Sequence, residues 1–336
     1  MSIKLSVICP AYNEENYIAS CIDSLIQQDV DKEELEVIFV DGLSTDRTKD
    51  IIRAYQKNNA WIKLLDNPKR IVPCAMNIGI KNAKGNIIIR IDAHAAFPAN
   101  YITELVRNLE LLNADNVGAV CETLPVNESI EAKSIATALS SSFGMGNSYF
   151  RVGAKKIIEV DTVPFGCFRR EVFDTVGLYD EELIRNQDDE LNARIIKNGG
   201  KIFLLPHLVV KYFARDTIKK TRKMFYQYGL YKPLVNQKLG SFATIRQFFP
   251  LLFVLGLIVG FILSFVHYLF IYIYLIVLLI YLMGALYFGI KDLKDKKELF
   301  YLPYVYLNIH VAYGWGYLVG IYKILMKRPF DVKSNR

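Results

Sequence analysis

Short apolar runs alternate with amphipathic stretches of helical period over roughly the first two hundred residues. Each run has the length of one strand and is bounded by polar or glycine residues. A regular succession of strand and helix predicts a mainly parallel sheet flanked by helices, the Rossmann-like kind of α/β fold. The strands are predicted at residues 4–9, 35–40, 61–65 and 86–91, and the helices at 14–27, 46–58 and 73–83.

The pattern changes after residue 214. Residues 215–246 interleave basic and apolar side chains, which predicts amphipathic interfacial helices on an anionic leaflet. Residues 247–290 contain no Lys, Arg, Asp or Glu, roughly twice the ~20 residues of one membrane-spanning helix. Two crossings with a turn near His267 are the simplest interpretation. A third such run, residues 299–322, is interrupted by Pro and Gly, and either spans the bilayer or lies along its interface.

These patterns divide the chain into four regions. A globular catalytic domain is predicted at 1–214, basic interfacial helices at 215–246, a transmembrane region of two to three helices at 247–324, and a polar tail at 325–336. The first apolar stretch is too short for a signal peptide. Lys and Arg flank the apolar region on both sides, so a multi-pass protein of the cell (inner or plasma) membrane with a cytoplasmic catalytic domain is expected. A third crossing would leave Lys327 and Arg328 outside, which favours an interfacial or re-entrant segment.

Charge and cysteine usage narrow the class further. The chain carries 41 Lys and Arg against 34 Asp and Glu, a net charge of +7. The basic residues cluster beside the apolar runs, so a membrane surface explains the excess better than nucleic acid does. The five cysteines stand singly, without a CxxC pair, and are expected to be free, mostly buried thiols in a reducing compartment.

Candidate chemistry lies at the ends of three predicted strands. Glu14 follows the first, Asp41 ends the second, and Asp92 with His94 ends the fourth. In such sheets ligands bind outside the carboxyl ends of the strands. A carboxylate there can accept hydrogen bonds from a nucleobase or ribose, and the Asp92 and His94 donors suit a divalent ion that carries a diphosphate. The structural alternatives are a first-turn helix acid for Glu14 and a capped strand end for Asp92.

Three consecutive acids begin a later predicted helix, where Asp188, Asp189 and Glu190 follow Gln187. Helix geometry directs neighbouring side chains apart, so only one of the three acids can point at a given substrate atom. Stabilisation of the helix dipole is the alternative, and it explains Asp189 and Glu190 well.

Four segments in this order resemble one known family. They are Pro10-Ala-Tyr-Asn-Glu14, Val40-Asp-Gly-x-Ser-x-Asp46, Asp92-x-His94 and Asn186-Gln-Asp-Asp-Glu-Leu-Asn192. Together they are similar to the motifs of the family 2 inverting glycosyltransferases, and most similar to the membrane-bound, succinoglycan-type enzymes of bacterial exopolysaccharide assembly. The resemblance implies a GT-A fold, a nucleotide-sugar donor of the UDP type, Mn²⁺ or Mg²⁺ as cofactor, and a lipid-linked, polyprenyl-type glycan as acceptor.

The resemblance also implies roles for residues. Asp188 matches the catalytic base, although the family's usual Glu-Asp pair reads Gln187-Asp188 here. His94 replaces the usual second metal-binding acid, which shifts the preference toward Mn²⁺. The expected nucleotide contacts are Pro10, Tyr12, Glu14, Asp41 and Asp92; the metal ligands are Asp92 and His94; the acceptor or donor pocket contains Asp161, Phe165, Gly166, Cys167, Gln187 and Asp189; and the diphosphate or membrane contacts are Arg215, Arg222, Gln227 and Lys232.

Two other functions stay open. One is a polyprenyl-phosphate glycosyltransferase, which would use a bare lipid phosphate as acceptor. The other is a transporter or a non-catalytic membrane scaffold that retains the fold. A transport pathway usually needs charged residues within the spans, and residues 247–290 have none, which disfavours transport.

Overall fold

The computed structural model describes residues 3–95 and 97–330 of the chain. An eight-stranded sheet has the order β3-β2-β1-β4-β7-β5-β8-β6. β1 pairs in parallel with β2 and β4, and β2 with β3, whereas β7 pairs antiparallel with β4 and β5, and β6 antiparallel with β8. The strands are β1 Leu5–Ala11, β2 Leu35–Asp41, β3 Ile62–Asp66, β4 Ile87–Arg90, β5 Asn116–Leu124, β6 Ile158–Glu159, β7 Cys167–Arg169 and β8 Ile202–Phe213.

Thirteen α-helices complete the described part of the chain, with one 3-10 helix at Lys296–Phe300. They are α1 Ile18–Ile26, α2 Thr48–Gln56, α3 Val72–Asn82, α4 Tyr101–Leu111, α5 Ile130–Ser140, α6 Ser142–Met145, α7 Tyr149–Val152, α8 Arg170–Val176, α9 Gln187–Lys197, α10 Ile218–Leu239, α11 Phe248–Leu263, α12 Tyr268–Asp292 and α13 Leu302–Leu325.

The first four strands and three helices lie where the hydrophobic period predicts them. All residues of β1 and β2 are buried, as expected for strands covered by helices on both faces. The first helix starts four residues later than predicted. Backbone groups before it are used elsewhere: the N–H of Asn13 donates to Ser44 Oγ (2.9 Å) and that of Glu14 to Thr48 Oγ1 (2.7 Å), which holds this segment as a loop against the second strand end.

The chain separates into two compact units. The first contains the described residues up to Cys121 together with Ala154–Lys211, and the second contains Glu122–Gly153 and the described residues from Tyr212 onward. Residues 122–153, which the sequence analysis assigns to the catalytic domain, therefore cluster with the C-terminal helices. The polar tail predicted at 325–336 lies outside the described residues from position 331 onward.

Close helix packing builds the second unit. Helix α13 presents glycines to α10 and α11, and an added Cβ at Gly316 would lie 2.2 Å from the carbonyl oxygen of Tyr226. Only glycine permits this approach of two backbones. Around it, the apolar core joins α5, α10 and α13 and includes Leu139, Phe225 and Tyr306.

One helix of the described residues, Tyr268–Asp292, is long and apolar enough to cross a membrane by length and composition. Its side chains are largely exposed, unlike those of a soluble core helix. Helix α11 is apolar but has 16 residues, shorter than the ~20 that a bilayer requires. Helix α13 packs along α10 on one face. One candidate span therefore stands where two to three were predicted, and the number of crossings stays a prediction.

Candidate active site

The carboxyl ends of β1, β2 and β3 form a polar edge in the first unit. Asp41 is fully buried at the end of β2, and its carboxylate accepts the N–H of Ser44 (2.8 Å) and the hydroxyl of Ser44 (2.5 Å). Each carboxylate oxygen can accept more than one hydrogen bond. Asp41 therefore caps its own turn.

Asn67 is a residue of this edge that the sequence analysis missed. Its backbone N–H donates to the carbonyl oxygen of Asp41 (2.7 Å), so the two residues are neighbours. Asn67 is buried, and within the described part of the chain its Oδ1 has no hydrogen-bond partner. Beside them the guanidinium of Arg70 lies 5.9 Å from the ring centroid of Tyr12. The edge thus combines buried acceptors with an aromatic face and a cation.

Glu14 and His94 meet across the ends of β1 and β4. Nδ1 of His94 lies 3.3 Å from Oε1 of Glu14, and the Glu14 side chain is almost fully buried. The sequence analysis treated Glu14 and His94 as parts of separate strand ends. The structure brings them together, because β1 and β4 are adjacent parallel strands.

An ionic cluster, buried except for the partly exposed Asp188, joins β4 to helix α9. Arg90, the last residue of β4, is buried, and its Nη1 donates to Oδ1 of Asp188. Its Nη2 lies 3.5 Å from Oδ1 of Asp92. The two acids singled out from distant parts of the sequence therefore share one guanidinium, which the sequence analysis did not anticipate.

The cluster changes the protonation behaviour of its members. Burial raises the pKa of Asp188 above its usual range, and the Arg90 cation opposes that rise only in part. Burial lowers the pKa of Arg90, but the charges of Asp188 and Asp92 more than reverse this and raise it. Arg90 is accordingly a permanent cation, and Asp188 is a stronger base than a solvated aspartate.

Helix α9 directs Asp188 toward Arg90. Asn186, at the N-cap, adopts a left-handed backbone (φ 61°), a conformation that asparagine tolerates, and the helix begins at Gln187. Gln187 is buried, Asp189 is partly exposed, and Glu190 forms an ion pair with Arg194 within the helix (2.6 Å). Glu190 is thus engaged within its own helix, and its effect on the helix dipole stays a prediction.

The segment before β7 contains the remaining predicted pocket residues. Asp161 is partly exposed, whereas Cys167 is fully buried inside the sheet, between β4 and β5. Cys167 is therefore a core residue and does not line a pocket. Gly166 is predicted to let a sugar approach the backbone closely. The space beside it is filled, because an added Cβ would lie 2.4 Å from Asn116 Oδ1. Phe165 has a left-handed backbone (φ 51°), which is strained for a bulky side chain.

A metal site built by the protein alone is absent from the described residues, where no three His, Cys, Asp or Glu side chains are grouped to hold an ion. The chemistry of the donor set still fits a divalent cation that arrives with a diphosphate, since Mg²⁺ typically takes one or two carboxylates and fills its shell with phosphate and water oxygens. In this chain Asp92 would supply a carboxylate oxygen and His94 an imidazole nitrogen to such an ion. His207 is not part of this donor set, because its Nε2 contacts Glu104 (3.1 Å).

The four predicted diphosphate or membrane contacts lie in the second unit. Arg222 is exposed on α10, and Arg215 precedes the helix with partial exposure. Gln227 and Lys232 are buried. Of these four residues, only Arg215 and Arg222 are therefore accessible at the surface of the unit.

The mixed sheet with acids at its strand ends defines a GT-A-like α/β protein. The mannosyltransferase PcManGT from Pyrobaculum calidifontis, solved with GDP-Man and Mn²⁺, has this fold, with a TM-score of 0.54 at 15% identity over 97% of this chain and 75% of that one. The chain belongs to glycosyl transferase family 2, and the model of this family matches residues 6–177.

Two relatives support the family from the sequence. A Methanococcus voltae protein, dolichyl N-acetyl-alpha-D-glucosaminyl phosphate 3-beta-D-2,3-diacetamido-2,3-dideoxy-beta-D-glucuronosyltransferase, is 31% identical over 95% of this chain and 97% of its own length. The succinoglycan biosynthesis protein ExoA of Rhizobium meliloti is 31% identical over 73% of this chain and 74% of its own. The resemblance recognised in the sequence is confirmed, and the protein is a transferase of this family.

Proposed function

We propose that the protein is a membrane-anchored inverting glycosyltransferase that moves a sugar from a UDP-type nucleotide sugar to a lipid-linked glycan acceptor of cell-surface polysaccharide synthesis. The observation that carries the proposal is the contact of Arg90 with both Asp92 and Asp188. It brings a carboxylate suited to the leaving diphosphate and a carboxylate suited to proton removal close to one guanidinium, as a single displacement requires.

The nucleotide is assigned to the polar edge of β1–β3. Asp41 retains acceptor capacity for ribose or base hydrogens, and the buried Oδ1 of Asn67 can accept a hydrogen bond from a base N–H. Tyr12 offers a ring face, with Arg70 above it. A buried acceptor without a partner is costly, which favours a ligand that satisfies it.

The diphosphate is assigned to the end of β4, where Asp92 and His94 would hold a divalent cation. When bound, such an ion neutralises the charge that develops on the departing diphosphate. The complexes of related folds with Mn²⁺, among them that of PcManGT, support this assignment. In this chain Glu14 orients the His94 ring through Nδ1, a contact that outer-shell carboxylates commonly make.

Asp188 is assigned as the general base. In an inverting transfer the acceptor hydroxyl oxygen forms a bond to the anomeric carbon while the bond from that carbon to the diphosphate oxygen breaks, and the electron pair leaves with the diphosphate. The hydroxyl proton goes to Asp188. Arg90 engages only Oδ1 of this carboxylate, so Oδ2 is the atom assigned to receive the proton.

The acceptor is inferred from the apolar second unit and from the relatives. Helix α12 exposes an apolar surface along its length, which suits delivery of a lipid carrier from a bilayer. The M. voltae relative is named for a dolichyl-phosphate-linked sugar acceptor. A sugar on a polyprenyl phosphate or diphosphate is therefore the proposed acceptor class. The alternative enzyme would glycosylate the bare polyprenyl phosphate.

Acceptor-dependent release of nucleotide tests the proposal. The full chain, purified in detergent, is supplied with Mn²⁺ and a panel of UDP- and GDP-sugars, with either a polyprenyl-linked saccharide, the bare polyprenyl phosphate or no lipid. Release of UDP only with the lipid-linked saccharide, and its loss on chelation of the metal, is expected. Turnover with the bare lipid phosphate favours the alternative enzyme, and absence of turnover with every pair favours a scaffold.

A further inference from the structure

The proposed reaction assigns no role to Arg90, although this residue contacts two of its principal groups. Arg90 lies on β4, a strand with neighbours on both sides, and it is 4% exposed. Burial of a charge is unfavourable unless partners compensate it. Two carboxylates, Asp92 and Asp188, face this one guanidinium, so the group carries a net negative charge.

The two contacts of Arg90 are unequal. The contact from Nη1 to Asp188 is the shorter one, whereas Nη2 lies 3.5 Å from Asp92, at the outer limit of a hydrogen bond. Arg90 thus holds Asp188 more closely than it holds Asp92. An incoming cation can replace the weak contact at Asp92 and leave the contact at Asp188 in place.

A second feature holds the guanidinium in position. Its central carbon lies 5.8 Å from the ring centroid of Phe165, a residue whose left-handed backbone is strained. Strained residues persist where the surrounding structure fixes them, often at functional sites. Phe165 therefore helps to hold Arg90, which in turn orients Asp188.

We propose that Arg90 is a positioning residue that holds Oδ1 of Asp188 through the reaction and yields Asp92 to the divalent cation of the donor. The inference rests on the proposed function. Before the donor binds, one guanidinium balances two acids. With Asp92 ligating the cation, Arg90 would serve Asp188 alone, so donor binding and orientation of the base would be coupled through one side chain.

Three variants test this role. Arg90→Gln removes the charge, and Arg90→Lys keeps the charge but loses the two-pronged geometry. Arg169→Gln is the matched control, because Arg169 lies on the adjacent β7 and bonds only to the backbone carbonyls of Ala114 and Leu109. Measured quantities are kcat and KM for transfer, thermal stability, and the affinity for Mn²⁺ in the presence of UDP by electron paramagnetic resonance.

For Arg90→Gln, kcat should fall about 100-fold, the loss expected of a misplaced catalytic group, while KM for the donor stays within about threefold. Its Mn²⁺ affinity should rise about threefold, since a competing cation has left Asp92. Arg90→Lys should restore thermal stability, but its kcat should reach only about a tenth of the wild-type value or less. Arg169→Gln should keep both kcat and Mn²⁺ affinity.

Several outcomes overturn the inference: wild-type kcat in Arg90→Gln, full recovery of kcat in Arg90→Lys, or Mn²⁺ affinity that is unchanged or weaker without Arg90. If Arg90→Gln does not fold, Arg90→Lys decides through its kcat. If the wild-type protein transfers sugar to no acceptor, the proposed function fails. The Mn²⁺ titration then still decides whether Arg90 competes for Asp92.

Discussion

The two units of the molecule distribute charge and apolar surface in opposite ways. The first contains an ionic cluster in which Arg90 and Asp92 are buried at the end of a strand and contact Asp188, a partly exposed residue of α9. The second exposes apolar side chains along α11 and α12, where Ile276 and Phe249 are more than half exposed. A buried group of charged side chains indicates a functional site. A long exposed apolar surface indicates contact with a non-aqueous environment. The contrast supports the assignment of the proposed chemistry to the first unit and of the proposed membrane attachment to the second.

The largest expected effect belongs to the acid at the first turn of α9. Asp188→Asn should lower kcat about 1,000-fold, because an amide cannot accept the proton of the acceptor hydroxyl. Binding of UDP with Mn²⁺, measured by calorimetry, should stay near the wild-type value. Glu190→Gln is the control on the same helix: it breaks the ion pair to Arg194 and should cost stability but keep kcat within about threefold. Wild-type turnover in Asp188→Asn would remove this residue from the mechanism.

The proposed membrane attachment of the second unit can be tested by introducing one charge. Ile276→Lys places an ammonium on the exposed face near the middle of α12, where a lysine at the centre of a membrane helix costs about 2.5–3.5 kcal/mol. The variant should shift from the membrane fraction toward the soluble or aggregated fraction on ultracentrifugation. Leu111→Lys, on an exposed apolar residue of the first unit, should leave the distribution unchanged. An equal distribution of both variants would contradict the membrane assignment of α12.

Glycines offer a smaller effect within the second unit. Gly316→Ala forces a Cβ within 2.2 Å of the Tyr226 carbonyl oxygen, and such overpacking typically costs about 1–3 kcal/mol. Gly256→Ala on α11 meets no atom within 4 Å of its new Cβ, so stability should change by about 1 kcal/mol or less. Thermal unfolding in detergent compares the two. A similar midpoint for both would show that the close packing of α13 on α10 is not maintained in solution.

The strands and helices of the α/β half could be predicted because the spacing of apolar residues within each element is a local property of the sequence. β1, β2 and the helices after them follow from apolar spacing alone. Apolar spacing does not show which other element a helix packs against. The pattern of residues 122–153 therefore does not indicate that they group with the C-terminal helices. For the C-terminal apolar run, composition predicts a membrane environment but does not fix the number of crossings, since α11 is shorter than a span.

The site divides in the same manner. Motif order predicts Asp92 and Asp188 as site residues but not the arginine that contacts both, because Arg90 lies within the pattern of an apolar strand. The signal was present: an arginine inside Ile-Ile-Ile-Arg-Ile needs a buried partner. Asn67 has no such pattern and became visible only through its unsatisfied buried oxygen. Conversely, Cys167 is expected from the resemblance to line a pocket but lies in the core.

The smallest effect concerns pH and sharpens the electrostatic half of the comparison. Burial raises the pKa of Asp188, and the neighbouring charge of Asp189 contributes to the rise. The base is active when deprotonated, so kcat/KM should be retained above this raised pKa and fall as pH decreases through it, at a higher pH than a solvated aspartate would give. Asp189→Asn removes a like charge and should move this acid limb to lower pH. Profiles of kcat/KM against pH for the two proteins measure the shift, and a limb that moves upward in Asp189→Asn would exclude Asp188 as the titrating group.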